Sequence, residues 1–208
     1  MLLGYSLGTY ALCTGAAASA QLYAEAFACT ERSGDLLTEQ FLHNNAGWAA
    51  LQMGDLPGAR AHLEASIRGA EAIGFPHTFT TLNLGWVLRA EHDLDGARST
   101  LAEALRIGRR VGDRRNMAEA ILGLACLAGD LDDWHRAAVL HGAAQALLDQ
   151  TGVPWATFVA GIRQESLDQA GAALGDEQFQ RAYARGTALS FDQAISLALD
   201  EIPIPPGT

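Results

Sequence analysis

Apolar residues recur along the chain with the spacing of one face of an α-helix. Two such stretches contain Ala59, Leu63, Ile67 and Ala70, and Ala97, Leu101, Ala104 and Leu105. Four glycines follow amphipathic stretches at intervals of 38 to 40 residues: Gly34, Gly74, Gly112 and Gly152. Because Gly readily adopts the left-handed conformation that ends a helix, we predict that each interval holds two antiparallel helices, A and B.

Three segments repeat the same spacing of small residues. They read "SLGTYALCTGAAASA", "NAGWAALQMGDLPGA" and "NLGWVLRAEHDLDGA", and a weaker fourth copy begins at Ile121. In each of the three, a Gly is followed twelve residues later by an Ala: Gly8 and Ala20, Gly47 and Ala59, Gly85 and Ala97. Small residues let helices pack closely, so we predict that the Gly of helix A faces the Ala of helix B.

The repeat resembles the tetratricopeptide family, in which Leu-Gly on the first helix and Ala on the second recur about every 34 residues. The matching pairs are Leu7-Gly8, Ala46-Gly47 and Leu84-Gly85, although the period here is longer. The resemblance implies an all-α fold, a right-handed superhelical array of antiparallel helix pairs with C-terminal capping helices. We predict four helix pairs in residues 1–152, a helical cap in 153–201 and a Pro-rich, extended tail in 202–208.

Three further helices are predicted after Gly152. We expect Gly186 to end the second of them, and Ser190 with Gln193 to form a capping box at the start of the third. This region resembles the end of the helical sensor segment of large bacterial ATPase-type transcriptional regulators of the LuxR and AfsR kind. The matching stretches are 136–144, 175–179 and 188–199.

In that family a P-loop ATPase precedes the helical repeats, and in the LuxR branch a helix-turn-helix follows them. This chain contains no Lys, which a P-loop requires, and no helix-turn-helix follows Leu199. We therefore expect either a fragment of such a regulator or a free-standing relative of its sensor arm. The resemblance concerns packing and implies no catalytic residue, so the expected function is protein interaction or ligand sensing.

Two tryptophans, Trp48 and Trp86, directly follow the Gly of helix A. The resemblance implies that this position faces a concave groove, where a protein or peptide partner or a small-molecule effector would bind. Indole faces can hold an apolar or a cationic group. The other candidate residues of this groove are Asn44, Asn45, Asn83, Arg89, Tyr5 and Phe41. The alternative is that both Trp fill the gap between neighbouring repeats, as aromatic residues at helical spacing usually do.

The stretch "RIGRRVGDRR" is the one basic patch of the chain. Its arginines are Arg106, Arg109, Arg110, Arg114 and Arg115. It is a candidate docking site for an acidic partner or a phosphate. The alternative is a solvated helix end, where cations interact favourably with the C-terminal dipole.

Two other classes of function remain as alternatives. The string "GYSLG" has the spacing of a hydrolase nucleophile elbow, with Ser6 as the nucleophile. That elbow needs a strand and a sheet, which the sequence does not predict, so we interpret the string as helix A of the first repeat. The other alternative is a structural scaffold, a homodimer formed through the exposed end of the array.

Composition limits the partners further. A net charge of −10 argues against binding of nucleic acid or an anionic membrane by this segment. The six histidines are scattered without a ligand motif, so we expect no metal and no cofactor. Three cysteines without a C-x-x-C and the lack of a long apolar run predict a cytoplasmic protein with reduced thiols.

Overall fold

The computed structural model describes residues 16–201 and Ile204, with side chains from Leu22 onwards. These residues form ten α-helices and no β-strand, which confirms the all-α prediction for the described part of the chain. Tyr5, Ser6 and Gly8 lie outside the described residues, and so does the tail from Ile202 except Ile204.

The helices follow one another with short connections. In chain order they are α1 (Ala16–Ser33), α2 (Leu36–Gln52), α3 (Leu56–Ala72), α4 (Thr78–Ala90), α5 (Leu94–Val111), α6 (Arg114–Asp130), α7 (Trp134–Asp149), α8 (Thr157–Leu174), α9 (Asp176–Thr187) and α10 (Phe191–Ala198).

Local sequence signals set many of the helix ends. At the starts of α2, α3, α6 and α7 an aspartate side chain accepts a hydrogen bond from the backbone N–H three residues later; these are Asp35, Asp55, Asp113 and Asp133. Each such cap is worth about 1 kcal/mol. The four glycines predicted to follow helices have φ between 65° and 75°, so this prediction is confirmed.

The chain divides into two compact units between Asp93 and Leu94. In the first unit α2 and α3 pair closely, α1 packs on α2, and α4 packs on α3. A Cβ atom on Gly47 would lie 2.6 Å from Leu63 Cγ and 3.1 Å from the carbonyl oxygen of Ala59. The predicted contact between Gly47 and Ala59 is therefore confirmed.

The other two Gly–Ala pairs stay predictions. Gly8 lies outside the described residues, and Gly85 and Ala97 belong to different units. The predicted boundary after residue 152 also stays a prediction.

Helices α6 and α7 form the centre of the second unit. Every residue of α6 from Met117 to Gly129 is buried. Helix α5 packs against α6, and α8, α9 and α10 pack on α7. A small residue again sets the spacing between neighbours, because a Cβ on Gly123 of α6 would lie 2.8 Å from Leu101 of α5.

The backbones of α7 and α9 are in direct contact. A Cβ on Gly142 would overlap the carbonyl oxygen of Tyr183, and a Cβ on Gly186 would overlap that of Val139. The prediction that Gly186 ends its helix is wrong, since α9 continues to Thr187. Its lack of a side chain permits close packing instead. The predicted capping box of Ser190 and Gln193 is present at the start of α10.

We predict that Gly142→Ala and Gly186→Ala each destabilise the protein by about 2 kcal/mol or more, because the added methyl group would force the two backbones apart. Gly161 provides a matched control, since it is an exposed glycine inside α8 with open space at its Cβ position. Gly161→Ala should stabilise the protein by about 0.5–1 kcal/mol. Urea unfolding measures all three; equal effects of Gly142→Ala and Gly161→Ala would contradict the close contact.

Candidate functional site

The two tryptophans predicted to line a groove lie on α2 and α4 of the first unit. Trp86 exposes only 3% of its surface, whereas Trp48 is half-buried. The indole N–H of Trp86 is buried and has no hydrogen-bond acceptor among the described residues. Burial of this kind is what the packing alternative expects for Trp86, while part of Trp48 stays accessible.

The three predicted asparagines lie together and form a chain of hydrogen bonds. Asn83 Nδ2 donates to Asn44 Oδ1 at 3.1 Å, and Asn44 Nδ2 donates to Asn45 Oδ1 at 3.2 Å. Asn44 and Asn83 are buried, and Asn45 is half-buried. The bond between Asn83 and Asn44 links α4 to α2, so these two amides are used inside the unit and do not face solvent.

The remaining predicted groove residues are less closely connected. Phe41 is half-buried and meets the ring of Phe75 edge-on, with centroids 5.5 Å apart. Arg89 is half-buried on the last turn of α4, and Tyr5 lies outside the described residues. Among the predicted residues of the first unit, Trp48, Asn45, Arg89 and Phe41 are thus the ones that a ligand can reach.

A second buried polar cluster was not predicted from the sequence. Ser66 Oγ donates to the carbonyl oxygen of Gln40 at 2.7 Å and lies 3.3 Å from Thr80 Oγ1. All three residues are buried, and they join α2, α3 and α4. The side-chain N–H₂ group of Gln40 is buried without an acceptor in the described part of the chain. Isolated Ser, Gln and Thr positions carry no signal of such a cluster in the sequence.

A cavity of about 380 Å³ lies among α1, α2 and α3. Its lining includes Tyr23, Phe27, Met53 and His62. His62 Nδ1 lies 3.0 Å from His43 Nδ1, and the ring of Phe27 packs on both imidazoles with centroid distances of 6.0 and 4.5 Å. Sequence spacing did not reveal this pair, because 19 residues separate the two histidines.

Burial dominates the electrostatics around this cavity. It lowers the pKa of His43 to about 4, with smaller contributions from the charges of His62 and Arg68. It also lowers the pKa of His62, although Asp55 acts in the opposite direction. Burial raises the pKa of Tyr23 to about 12. At neutral pH the histidine pair and the phenol are therefore uncharged, and Asp55, which caps α3, is the acidic residue in the lining of the cavity.

The five arginines of the predicted docking patch are exposed on the second unit. Four of them contact carboxylates of this chain at 3.4 to 3.6 Å: Arg106 and Arg110 contact Glu103, Arg109 contacts Asp192, and Arg115 contacts Glu119. Glu119 is itself buried, and burial raises its pKa against the opposing effect of Arg115. Much of the positive charge of the patch is thus balanced locally.

Two of these arginines hold α10 in place. The Arg114 guanidinium lies 4.7 Å from the ring centroid of Phe191, and Arg109 pairs with Asp192. Arg136 of α7 adds a third contact by donating to the carbonyl oxygen of Leu197 at 2.7 Å. Part of the basic patch therefore binds a segment of its own chain.

A histidine and a serine also meet in the second unit. His141 Nε2 lies 2.8 Å from Ser166 Oγ, which joins α7 to α8. Both residues are buried, so no substrate can reach the hydroxyl group in this arrangement. The described residues contain no group of three or more His, Cys, Asp or Glu placed to hold a metal ion, and none of their helices is long and apolar enough to cross a membrane.

Comparison with known proteins finds a partial relationship. No protein-family model matches the chain. Over 85 residues, 40% of its length, it is 42% identical to proteins of Mycobacterium bovis and Mycobacterium tuberculosis that carry the name "Putative HTH-type transcriptional regulator". The matched segment covers only 10% of each of those longer proteins. The chain is thus homologous over this segment to proteins named as transcriptional regulators.

We predict that the protein loses stability as the pH falls from 7 to 5. The folded-state pKa of His43 is about 4, below its ordinary value of 6.5. The contribution of His43 is therefore complete above pH 6.5 and is lost as the pH falls towards 4. Because His43 is only partly buried, we expect a loss of about 1 kcal/mol at pH 5, and the lowered pKa of His62 acts in the same direction.

His43→Gln should remove most of this pH dependence, because Gln does not titrate. His135→Gln is the matched control, since His135 is exposed on the second unit. Urea unfolding at pH 7 and pH 5 measures the difference in free energy of unfolding. The same pH dependence in the wild type and in His43→Gln would show that His43 is not its source.

Proposed function

We propose that this chain is a non-catalytic sensing or protein-interaction module, either the sensor arm of a bacterial transcriptional regulator or a free-standing relative of that arm. The observation that carries the proposal is the segment of 85 residues that is 42% identical to proteins named as HTH-type transcriptional regulators. Because that segment is a tenth of their length, DNA binding and nucleotide hydrolysis would belong to other parts of such a protein.

The packing of small residues supports a tetratricopeptide-like architecture. Gly47 contacts Leu63 of the helix that follows it, and Gly123 contacts Leu101 of the helix that precedes it, so in each unit a glycine lets two consecutive helices pack closely. We propose that helix pairs of this kind continue as a right-handed superhelical array, with 153–201 as its cap. Repeat arrays of this type present a long curved surface and bury contacts mainly between neighbours.

The ligand of the module would bind on the first unit. Trp48, Asn45 and Arg89 offer an indole surface, an amide and a cation, each partly accessible. This chemistry suits a protein or peptide partner or a small-molecule effector. A strongly acidic chain disfavours direct contact with nucleic acid or an anionic membrane. A cytoplasmic location is part of the same proposal.

The array can be tested by small-angle X-ray scattering with mass determination by light scattering. A compact globular chain of 208 residues has a radius of gyration of about 17 Å. A monomeric array should give a clearly larger value and an asymmetric distance distribution. A value near 17 Å would contradict the array, and a mass of twice 22.0 kDa would favour the dimeric scaffold.

The proposal that this chain is part of a larger regulator can be tested by immunoblot of the source organism with an antibody against this segment. We expect a band several times larger than 22.0 kDa, and mass spectrometry of that band should identify a helix-turn-helix segment. A large band without a DNA-binding segment would refute the proposal that the chain belongs to a transcriptional regulator. A band near 22 kDa would refute the sensor arm and leave the free-standing relative.

A further inference from the structure

Two arginines from different helices of the second unit meet at one carboxylate. Arg136 Nη2 of α7 lies 2.6 Å from Asp200 Oδ1, and Arg98 Nη1 of α5 lies 3.8 Å from Asp200 Oδ2. Each carboxylate oxygen thus faces one guanidinium group. Paired arginines on a carboxylate are the arrangement by which proteins recognise organic acids.

Asp200 occupies a backbone position that usually carries glycine. It follows α10 with φ of 61°, its N–H donates to the carbonyl oxygen of Leu197, and the N–H of Glu201 donates to that of Ser196. This is the hydrogen-bond pattern of a Schellman helix end, where Gly adopts the left-handed conformation most easily. His92 and Asp132 adopt the same left-handed conformation, so what distinguishes Asp200 is the position of its carboxylate between two arginines.

A cavity of about 250 Å³ lies beside this carboxylate. Its apolar lining consists of Leu124, Leu127, Ala128, Leu131 and Ala198. The Arg136 side chain is only 18% exposed, whereas that of Asp200 is 56% exposed. Arg136 is therefore held inside the site, whereas Arg98, at 49% exposed, and the Asp200 carboxylate both reach solvent.

The charges at the cavity fit a monoanion once Asp200 has turned away. The charged side chains that line it are Arg98, Arg136, Asp133 and Asp200, which balance one another. Asp133 stays in place because its carboxylate caps α7 by accepting from the backbone N–H of Arg136 at 3.1 Å. Removal of Asp200 alone leaves one net positive charge.

We propose that Arg98 and Arg136 form a binding site for a small organic carboxylate with an aliphatic body, and that Asp200 is the internal occupant which this ligand displaces. The guanidinium groups would hold the ligand's carboxylate, and the leucine-lined cavity would hold its aliphatic part. The site goes beyond the proposed function, because it lies in the second unit and does not depend on a ligand at Trp48. An attached carboxylate competes at high effective concentration, so the ligand's apparent affinity is lower than its intrinsic affinity.

The first test is calorimetric titration of the full chain with sodium hexanoate at constant ionic strength and pH 7. Asp200→Asn and Asp200→Gly should each bind hexanoate at least tenfold more tightly than the wild type. Both replacements tolerate the left-handed conformation and remove the competing charge. Asp192→Asn is the matched control, because Asp192 on α10 also pairs with an arginine, Arg109 of α5, but does not line the cavity. It should leave hexanoate affinity unchanged.

Two further comparisons test the two parts of the site. When Arg98→Gln is added to Asp200→Asn, most of the increase in hexanoate affinity should be lost, because one guanidinium group is missing. Acetate has the same charge as hexanoate without the aliphatic body, so it should bind at least fivefold more weakly. Equal binding of acetate and hexanoate would overturn the apolar part of the site. If Asp200→Asn does not bind hexanoate more tightly, or if Asp192→Asn binds it equally more tightly, the proposal that the ligand displaces Asp200 is overturned.

A measurement on the wild type decides the question if the Asp200 variants do not fold. Nuclear magnetic resonance should show the side-chain carboxyl carbon of Asp200 and the Nε–H groups of Arg98 and Arg136 shifting together as hexanoate is added. Shifts of the arginines without a shift of Asp200, or no shifts at all, would overturn the proposal.

Discussion

The close approach of helix backbones at glycine positions is the constraint on which the packing of this chain depends. At the crossing of α7 and α9, carbonyl oxygens of Tyr183 and Val139 occupy the places where Cβ atoms of Gly142 and Gly186 would lie. Elsewhere a Leu side chain takes this place, as Leu63 does at Gly47. Aromatic residues make up only 7% of the chain, so its cohesion comes from many short contacts rather than from a few large side chains.

Closely packed helices leave polar side chains between them little access to water. Those side chains must then find partners across the helix interface, and three buried pairs do so: Ser66 with Gln40, Asn83 with Asn44, and His141 with Ser166. Each pair joins two different helices, so a shift of one helix along another would break it. Because a broken buried pair costs more than an intact pair gains, these contacts fix the register of the helices.

The sequence predicted the elements better than it predicted their surroundings. Apolar spacing and the recurring glycines indicated the helices, because those signals act within one or two turns. The same signals could not tell that Trp86 and Asn83 are buried while Trp48 is partly accessible, since that depends on which neighbouring helix covers each face. Gly186 was misinterpreted for a related reason: a glycine that ends a helix and a glycine at a helix crossing look the same in sequence.

The arginine patch shows how distant charges change the meaning of a local motif. Within its own stretch it is a cluster of cations, but 83 residues separate Arg109 from its partner Asp192. Helix α10 has eight residues and would not be stable alone, so contacts of this kind must hold it. Arg109 and Asp192 are exposed, and salt screens such a pair strongly. Arg136 is mostly buried and also donates to the carbonyl oxygen of Leu197. The end of α10 is therefore held most firmly by the arginine that also faces the apolar cavity, so the proposed ligand would compete for a contact that positions this helix.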